Sequence, residues 1–388
     1  MSRRRRAGII GGALGLVAAG TAVGLAAQRY AIGRIRTGEP SAGEPGAGEP
    51  SAGERSAGQP GAGQPGAGEP FDRLPADRRS VVVADDGVPL YVEETGPLDA
   101  PVAIVFVHGY SLRMGSWHFQ RRDLPHRVSG PLRMVFFDLR SHGRSGRGPE
   151  NASTIEQLGD DLAAVLRHVG DTAPIVLVGH SMGGMAAMAL TAQNPELVAG
   201  LAGVVLIATS AGRGGASFGL PGPLAPIGPP VQRMAVAGLR AQPALIGRAV
   251  RIGRDVSWLI VRRLSFGSRE VSPAVVSYAE RMITSTPADV IAAFLPVFGG
   301  YDKRDALAAL RDLPVLIIVG DADRMTPPAH SEEMARALPD AQLVVLPGAG
   351  HLVMLEAADD VTGALAEFVD ATATRTARRV VRRRKRTT

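Results

Sequence analysis

The chain has 388 residues, no cysteine and a formal net charge of +6, so disulfide bonds are excluded. The positive charge is confined to the two ends, because residues 71–370 hold 27 basic and 32 acidic residues. A mildly acidic body argues against a nucleic-acid-binding domain, and no nucleic-acid partner is expected. The length is sufficient for two domains or for one large domain with an insertion.

Residues 1–36 have the pattern of a membrane-targeting segment. Four arginines at 3–6 precede residues 7–27, which carry no charge and are long enough to span a bilayer. The positive-inside rule then predicts a membrane-anchored protein whose main body lies outside the cytoplasm. A cleaved signal peptide and a secreted protein are the alternative, although Leu25-Ala26-Ala27 meets the Ala-x-Ala pattern only partly.

Residues 37–70 form a low-complexity linker. From residue 41 onward it repeats a five-residue unit that begins with Ser or Gly and continues as Ala-Gly-Glu/Gln-Pro. This segment has no large apolar side chains to bury, and proline or arginine closes each unit. We therefore predict a disordered, partly extended tether that holds the following domain away from a surface.

From residue 71 to 372, apolar runs of β type alternate with helical patterns. Several of these runs are continuous, as expected for strands that are covered on both faces. The predicted strands are 80–84, 89–93, 103–107, 134–137, 175–178, 204–207, 313–319 and 342–346, and helical patterns include 155–169 and 355–371.

About a hundred residues separate the strands at 204–207 and 313–319, which is too long for one crossover helix. Helical patterns within this insertion cover 231–263, 273–284 and 288–298. The insertion is rich in apolar residues, so it packs as an ordinary amphipathic layer, forms an apolar pocket, or does both. At the other end, residues 373–388 form a basic tail, which by default is a solvated run of charge.

Ser181 is the candidate nucleophile. It lies at the centre of Gly179-His180-Ser181-Met182-Gly183, between the apolar run at 175–178 and a helical pattern. A serine on a sharp strand-to-helix turn needs small neighbours, and the turn exposes its hydroxyl at a helix N-terminus.

A serine nucleophile of this type requires a general base and a carboxylate further along the chain. His351 follows the strand at 342–346, and Asp323 follows the strand at 313–319. Both lie after the carboxyl ends of strands, where open α/β sheets build their sites. Asp323 is the preferred carboxylate, and Asp321 is the alternative. The other histidines are scattered without convincing ligand spacing, so neither a metal nor a cofactor is expected.

The chain resembles the α/β-hydrolase superfamily, in the cap-containing, esterase- and lipase-like branch that uses Ser, His and Asp. Beside the serine motif, the resemblance rests on Val107-His108-Gly109-Tyr110, Asp138-x-Arg140-x-x-Gly143-x-Ser145, Gly320-x-x-Asp323-x-x-x-Pro327 and Gly350-His351. It covers residues 80–371 and implies a mostly parallel sheet with helices on both faces and a helical cap at about 211–300. It also favours Asp323 over Asp321, and it implies an oxyanion hole formed by the backbone N–H groups of Tyr110 and Met182.

The expected function is that of a serine hydrolase that cleaves small, apolar acyl or aromatic carboxylic esters through an acyl-enzyme on Ser181. The same fold and triad also serve cofactor-free perhydrolases, or haloperoxidases, and C–C bond hydrolases, which remain the alternative. Epoxide hydrolases are disfavoured because their nucleophile is an aspartate. A non-catalytic ligand-binding protein is the least favoured hypothesis, since the motif set is complete.

Overall fold

The computed structural model describes residues 68–170, 173–212, 254–268 and 270–387. The predicted N-terminal segment, most of the linker and residues 213–253 of the predicted cap therefore lie outside the described residues. Within the described ranges, no single helix has both the length and the apolar character needed to cross a bilayer. One pair of helical segments, Pro273–Ser285 and Ala288–Gly299, meets these criteria only jointly, and it is bent by 84°.

Eight strands of the described chain form one sheet. Strand β2 pairs antiparallel with β1 and β4, whereas all other neighbouring strands are parallel. The order across the sheet is β1-β2-β4-β3-β5-β6-β7-β8. The strands are β1 Arg78–Val83, β2 Pro89–Thr95, β3 Ala103–Val107, β4 Arg133–Phe137, β5 Ile175–His180, β6 Leu201–Ile207, β7 Val315–Gly320 and β8 Gln342–Leu346.

Helices cover both faces of this sheet, as predicted. Successive strand residues point to opposite faces, so the fully buried Val105 and Leu177 belong to one apolar cluster and Phe106 and Val178 to the other. The helices are α1 His118–Asp123, α2 Ile155–Val169, α3 Met182–Gln193, α4 Pro195–Val198, α5 Arg254–Ser265, α6 Pro273–Ser285, α7 Ala288–Phe294, α8 Pro328–Ala337, α9 Val353–Glu356 and α10 Ala358–Thr387. The predicted α/β fold class is confirmed.

The predicted insertion contains helices α5, α6 and α7 among its described residues. Helix α6 starts at a proline and is capped by Ser272, whose hydroxyl accepts a hydrogen bond from the N–H of Ala274 at 3.3 Å. Helix α7 follows after a two-residue break. The cap as a whole remains a prediction, because residues 213–253 lie outside the described part.

The last helix is longer than the sequence pattern indicated. The apolar periodicity fades near residue 371, but α10 continues to Thr387. Residues 364–387 contain neither glycine nor proline and are rich in alanine and arginine, which favour helix. The basic tail therefore continues the helix that packs on the sheet.

The last residues of the predicted linker, 68–70, lie within the described part of the chain, and Glu69 contacts the body. Glu69 Oε1 lies 2.7 Å from His118 Nε2 and 2.7 Å from a terminal guanidinium nitrogen of Arg122. The ring of Phe71 stacks on Tyr278 of helix α6, with centroids 4.1 Å apart and planes 17° apart. These contacts connect the end of the predicted linker to both the core and the inserted helices.

Candidate active site

Ser181 occupies a strained turn between β5 and α3. Its φ of 51° and ψ of −118° are rare for a residue with a side chain. The turn is held because the N–H of Ser181 donates to Ile207 O at 3.0 Å and its carbonyl accepts from Thr209 Oγ1 at 2.7 Å. A Cβ on Gly183 would lie 2.3 Å from Val107 O, which explains why only glycine fits there.

The structure brings Ser181, His351 and Asp323 together. His351 Nε2 lies 3.0 Å from Ser181 Oγ, and His351 Nδ1 lies 2.9 Å from Asp323 Oδ2. All three residues are buried, with Ser181 8% exposed. A carboxylate only accepts hydrogen bonds, so Nδ1 carries the proton and the lone pair of Nε2 faces the serine hydroxyl. This is the tautomer that a general base for Ser181 requires.

Asp323 is fixed by its own loop. Its Oδ1 accepts from the N–H groups of Met325 at 2.8 Å and Thr326 at 3.0 Å, and its Oδ2 accepts from Thr326 Oγ1 at 2.8 Å. Burial alone would raise the pKa of the Asp323 carboxyl. The charge of His351 and the hydrogen bonds from His351 and Thr326 outweigh burial and hold this pKa below its usual value.

Asp321, the alternative carboxylate, has a different task. Its Oδ1 accepts a hydrogen bond from the N–H of Gly348 at 2.6 Å, which joins the loops that follow β7 and β8. Asp321 is exposed, whereas Asp323 is buried beside the imidazole. The geometry therefore assigns the carboxylate position to Asp323.

The two residues predicted for the oxyanion hole flank the nucleophile. Met182 is the first residue of α3, so its N–H has no acceptor within the helix. On the other side, a Cβ on Gly109 would lie 3.1 Å from Ser181 Cβ, so the loop that continues into Tyr110 passes directly beside the nucleophile. The Tyr110 hydroxyl donates to Ile291 O of helix α7 at 2.5 Å and ties this loop to the inserted helices.

Two buried histidines hold the same loop. His108 donates from Nδ1 to Gly109 O at 2.8 Å and accepts at Nε2 from the N–H of Leu139 at 3.0 Å. His142 Nε2 accepts from the N–H of Ser111 at 3.2 Å. Burial lowers the pKa of His142 to about 4, so the ring stays neutral and can accept this bond. Sequence reasoning left His142 without a role, because no local pattern reports a contact between residues 31 positions apart.

The loop after β4 is fixed by charged side chains. Asp138 accepts from the N–H groups of Met114 and Arg144, each at 2.8 Å. Burial raises the pKa of Asp138 to about 6. The buried guanidinium of Arg140 donates from Nε to Asp161 Oδ2 at 2.6 Å. These bonds stabilise the loop that supports His142.

Comparisons with known proteins agree with this fold. A model of the alpha/beta hydrolase family matches residues 104–364. A thermophilic esterase from Thermogutta terrifontis has a similar structure, with a TM-score of 0.61 and 30% sequence identity over 76% of this chain and 99% of that one.

Two relatives with different activities are also similar in sequence. The chain is 30% identical over 268 residues to the dihydrolipoyllysine-residue acetyltransferase component of an acetoin cleaving system from Pseudomonas putida, a match over 69% of this chain. The match spans 63% of that protein, less than two thirds of its length. The chain is also 26% identical to a non-heme haloperoxidase from Rhodococcus erythropolis, over 74% of this chain and 98% of that protein.

Proposed function

Because the chain belongs to the α/β-hydrolase family, we propose that it is a serine hydrolase that cleaves carboxylic esters through an acyl-enzyme on Ser181. The observation that carries this proposal is the continuous line from Ser181 Oγ to His351 Nε2 at 3.0 Å and from His351 Nδ1 to Asp323 Oδ2 at 2.9 Å. The similarity to the Thermogutta terrifontis esterase supports ester bonds as the target.

Acylation begins when Ser181 Oγ attacks the carbonyl carbon of the ester and its proton moves to His351 Nε2. The carbonyl oxygen becomes an oxyanion, which accepts hydrogen bonds from the backbone N–H groups of Tyr110 and Met182. Asp323 stabilises the charged imidazole through the Nδ1–H bond. His351 then gives the proton to the leaving alcohol, and the acyl group stays on Ser181.

Deacylation repeats these steps with water. His351 removes a proton from a water molecule as the water oxygen attacks the acyl carbon. The tetrahedral intermediate collapses, the bond to Ser181 Oγ breaks, and His351 returns a proton to the serine. The carboxylic acid leaves, and no cofactor enters the cycle.

The proposed substrates are small esters with an apolar acyl or aromatic group. Their support is the apolar character of the inserted helices, in which Trp258, Val275, Val276 and Met282 are buried. Helix α7 also carries the carbonyl that binds the hydroxyl of Tyr110, so the inserted helices adjoin the oxyanion loop.

A series of p-nitrophenyl esters of rising acyl length tests the proposal on the full chain. We expect turnover that Ser181→Ala lowers at least about 10³-fold, because it removes the nucleophile. Ser331→Ala is the matched control. Ser331 is also buried, and its hydroxyl has no hydrogen-bond partner among the described residues. Turnover by Ser181→Ala at the rate of the Ser331→Ala control would refute the mechanism.

A perhydrolase or haloperoxidase reaction on the same triad is the second candidate. It is favoured by the similarity to the Rhodococcus erythropolis haloperoxidase over almost that whole protein. A C–C bond hydrolase remains compatible with the same residues. Labelling of Ser181 by a fluorophosphonate without hydrolysis of any ester in the series would favour these reactions, whereas absence of labelling would indicate a non-catalytic protein.

We further propose that residues 1–36 anchor the protein in a membrane, with the catalytic domain extracytoplasmic. The support is the charge pattern of the sequence, since this segment lies outside the described residues. Full-length chain in the membrane fraction, cleaved by protease added outside cells, is the expected result. A shortened chain in the medium would indicate signal-peptide cleavage, and full-length chain in the soluble fraction would contradict both.

A further inference from the structure

His180 precedes the nucleophile and contacts the other side of the catalytic base. Its Nε2 lies 3.0 Å from the backbone carbonyl oxygen of His351. A carbonyl only accepts, so the Nε2 of His180 carries the proton and donates it. The two imidazole rings lie 4.9 Å apart at 53°. The base is therefore held through its backbone by His180 and through its ring by Asp323.

The opposite edge of the His180 ring meets the loop that leads to the oxyanion hole. A Cβ on Gly109 would lie only 2.7 Å from His180 Nδ1, so this ring and the Gly109 backbone are in direct contact. The ring of Trp117 stands at 88° to that of His180, with centroids 6.4 Å apart. His180 is 1% exposed and fills the space between the base and the oxyanion loop.

The His180 ring is neutral in this site. Burial, together with the neighbouring His351, lowers the pKa of His180 to about 3. Its Nδ1 is therefore unprotonated, and within the described residues it has no hydrogen-bond partner. Neutrality suits the position, because a charged ring would repel the imidazolium that His351 becomes during catalysis.

From these contacts we propose that His180 is a positioning residue for the reaction on Ser181. Its Nε2–H fixes the backbone of His351, and its ring fixes the spacing between the base and the oxyanion loop. The proposal rests on the proposed serine hydrolase function. It assigns a task to the residue directly before the nucleophile.

Three substitutions separate the hydrogen bond from ring volume. His180→Gln can place an amide N–H near the position of Nε2, His180→Asn is one carbon too short to reach it, and His180→Leu removes all polarity. His118→Gln is the matched control, because His118 is also a buried histidine and its partner is Glu69 at 2.7 Å. For each full-length variant, kcat and KM with a p-nitrophenyl ester and the rate of fluorophosphonate labelling are measured.

We expect His180→Leu and His180→Asn to lower kcat and the labelling rate about 10²-fold, the typical effect of a misplaced catalytic group. KM should change by less than about twofold, and His180→Gln should recover kcat to within about threefold of wild type. The His118→Gln control should match wild type. This split between kcat and KM, with rescue by glutamine, is not expected of a residue that only stabilises the fold.

Two results would overturn the proposal. One is a kcat and a labelling rate in His180→Asn that equal those of wild type. This result overturns the proposal even if His180→Leu does not fold. The other is a loss in His180→Gln equal to that in His180→Asn, which would mean that the donor at Nε2 is irrelevant. Absence of labelling in wild type would instead refute the proposed function, and this inference with it.

Discussion

Replacement of Asp323 by asparagine tests the catalytic role of the carboxylate without a change in shape. In the wild type, Oδ1 accepts two backbone N–H groups, from Met325 and Thr326. The amide oxygen of the variant must stay in this position, because an NH₂ group there would oppose two donors and lose both bonds, at about 1 kcal/mol each. The amide nitrogen therefore takes the place of Oδ2 and faces His351.

The amide nitrogen then donates to His351 Nδ1, where the wild-type carboxylate accepts. His351 is driven to the tautomer with its proton on Nε2, and this nitrogen cannot remove the proton of Ser181. The same replacement in serine proteases lowers kcat about 10⁴-fold. We expect a loss of about 10³- to 10⁴-fold here, or roughly 4 to 5 kcal/mol of transition-state stabilisation.

The assay compares kcat for a p-nitrophenyl ester in Asp323→Asn, in Asp321→Asn and in wild type. Asp321→Asn is the matched control, because Asp321 is exposed and its side chain accepts a hydrogen bond from the N–H of Gly348. The same variant tests Asp321 as the alternative carboxylate. Its kcat should stay within about threefold of wild type. A loss of less than tenfold in Asp323→Asn, or equal losses in both variants, would refute the assignment.

Four further results are expected. Gly183→Ala should abolish activity and lower the melting temperature, because its Cβ would lie 2.3 Å from a backbone carbonyl; a wild-type melting curve would contradict this. Phe71→Ala should lower the free energy of unfolding in urea by about 1 to 3 kcal/mol, since it removes the stack on Tyr278; no change would mean that this contact is not made. Glu356→Ala should reduce both kcat and stability, because three backbone N–H groups lose their acceptor. One of them is the N–H of Gly350, which lies 2.6 Å from Glu356 and directly precedes His351, so an unchanged kcat would exclude an effect on the His351 loop. Because the pKa of Asp323 is lowered in the folded state, its ionised carboxylate stabilises the fold above the unfolded-state pKa of about 3.9, and this contribution is lost as pH falls through the folded-state pKa. Asp323→Asn lacks this carboxylate, so its melting temperature should fall less than that of wild type when the pH is lowered. Equal losses in the two proteins would contradict the prediction.

Local patterns were sufficient to predict most of the sheet. The runs at 103–107 and 342–346 and the helix at 155–169 have the predicted bounds, because continuous apolar runs and helical periodicity both reflect burial directly. The basic tail was harder, since its helix continues on intrinsic propensity after the apolar periodicity has ended.

Local patterns likewise predict part of the site and miss the rest. Ser181, His351 and Asp323 each follow a strand, so chain order and strand ends were sufficient to bring them to one edge of the sheet. The hydrogen bond from His180 to His351 joins residues 171 positions apart, and no periodicity reports such a contact. The substrate pocket could not be predicted either, because it depends on how the inserted helices pack on the core.

The most direct test of the central claim is to trap the acyl-enzyme. The full chain is mixed with a p-nitrophenyl ester, quenched in acid within the first turnover and analysed by intact mass and peptide mapping. We predict one acyl group per chain on the peptide that contains Ser181, and none in Ser181→Ala. Release of p-nitrophenol without an acyl group on Ser181, or with the acyl group on another residue, would contradict it.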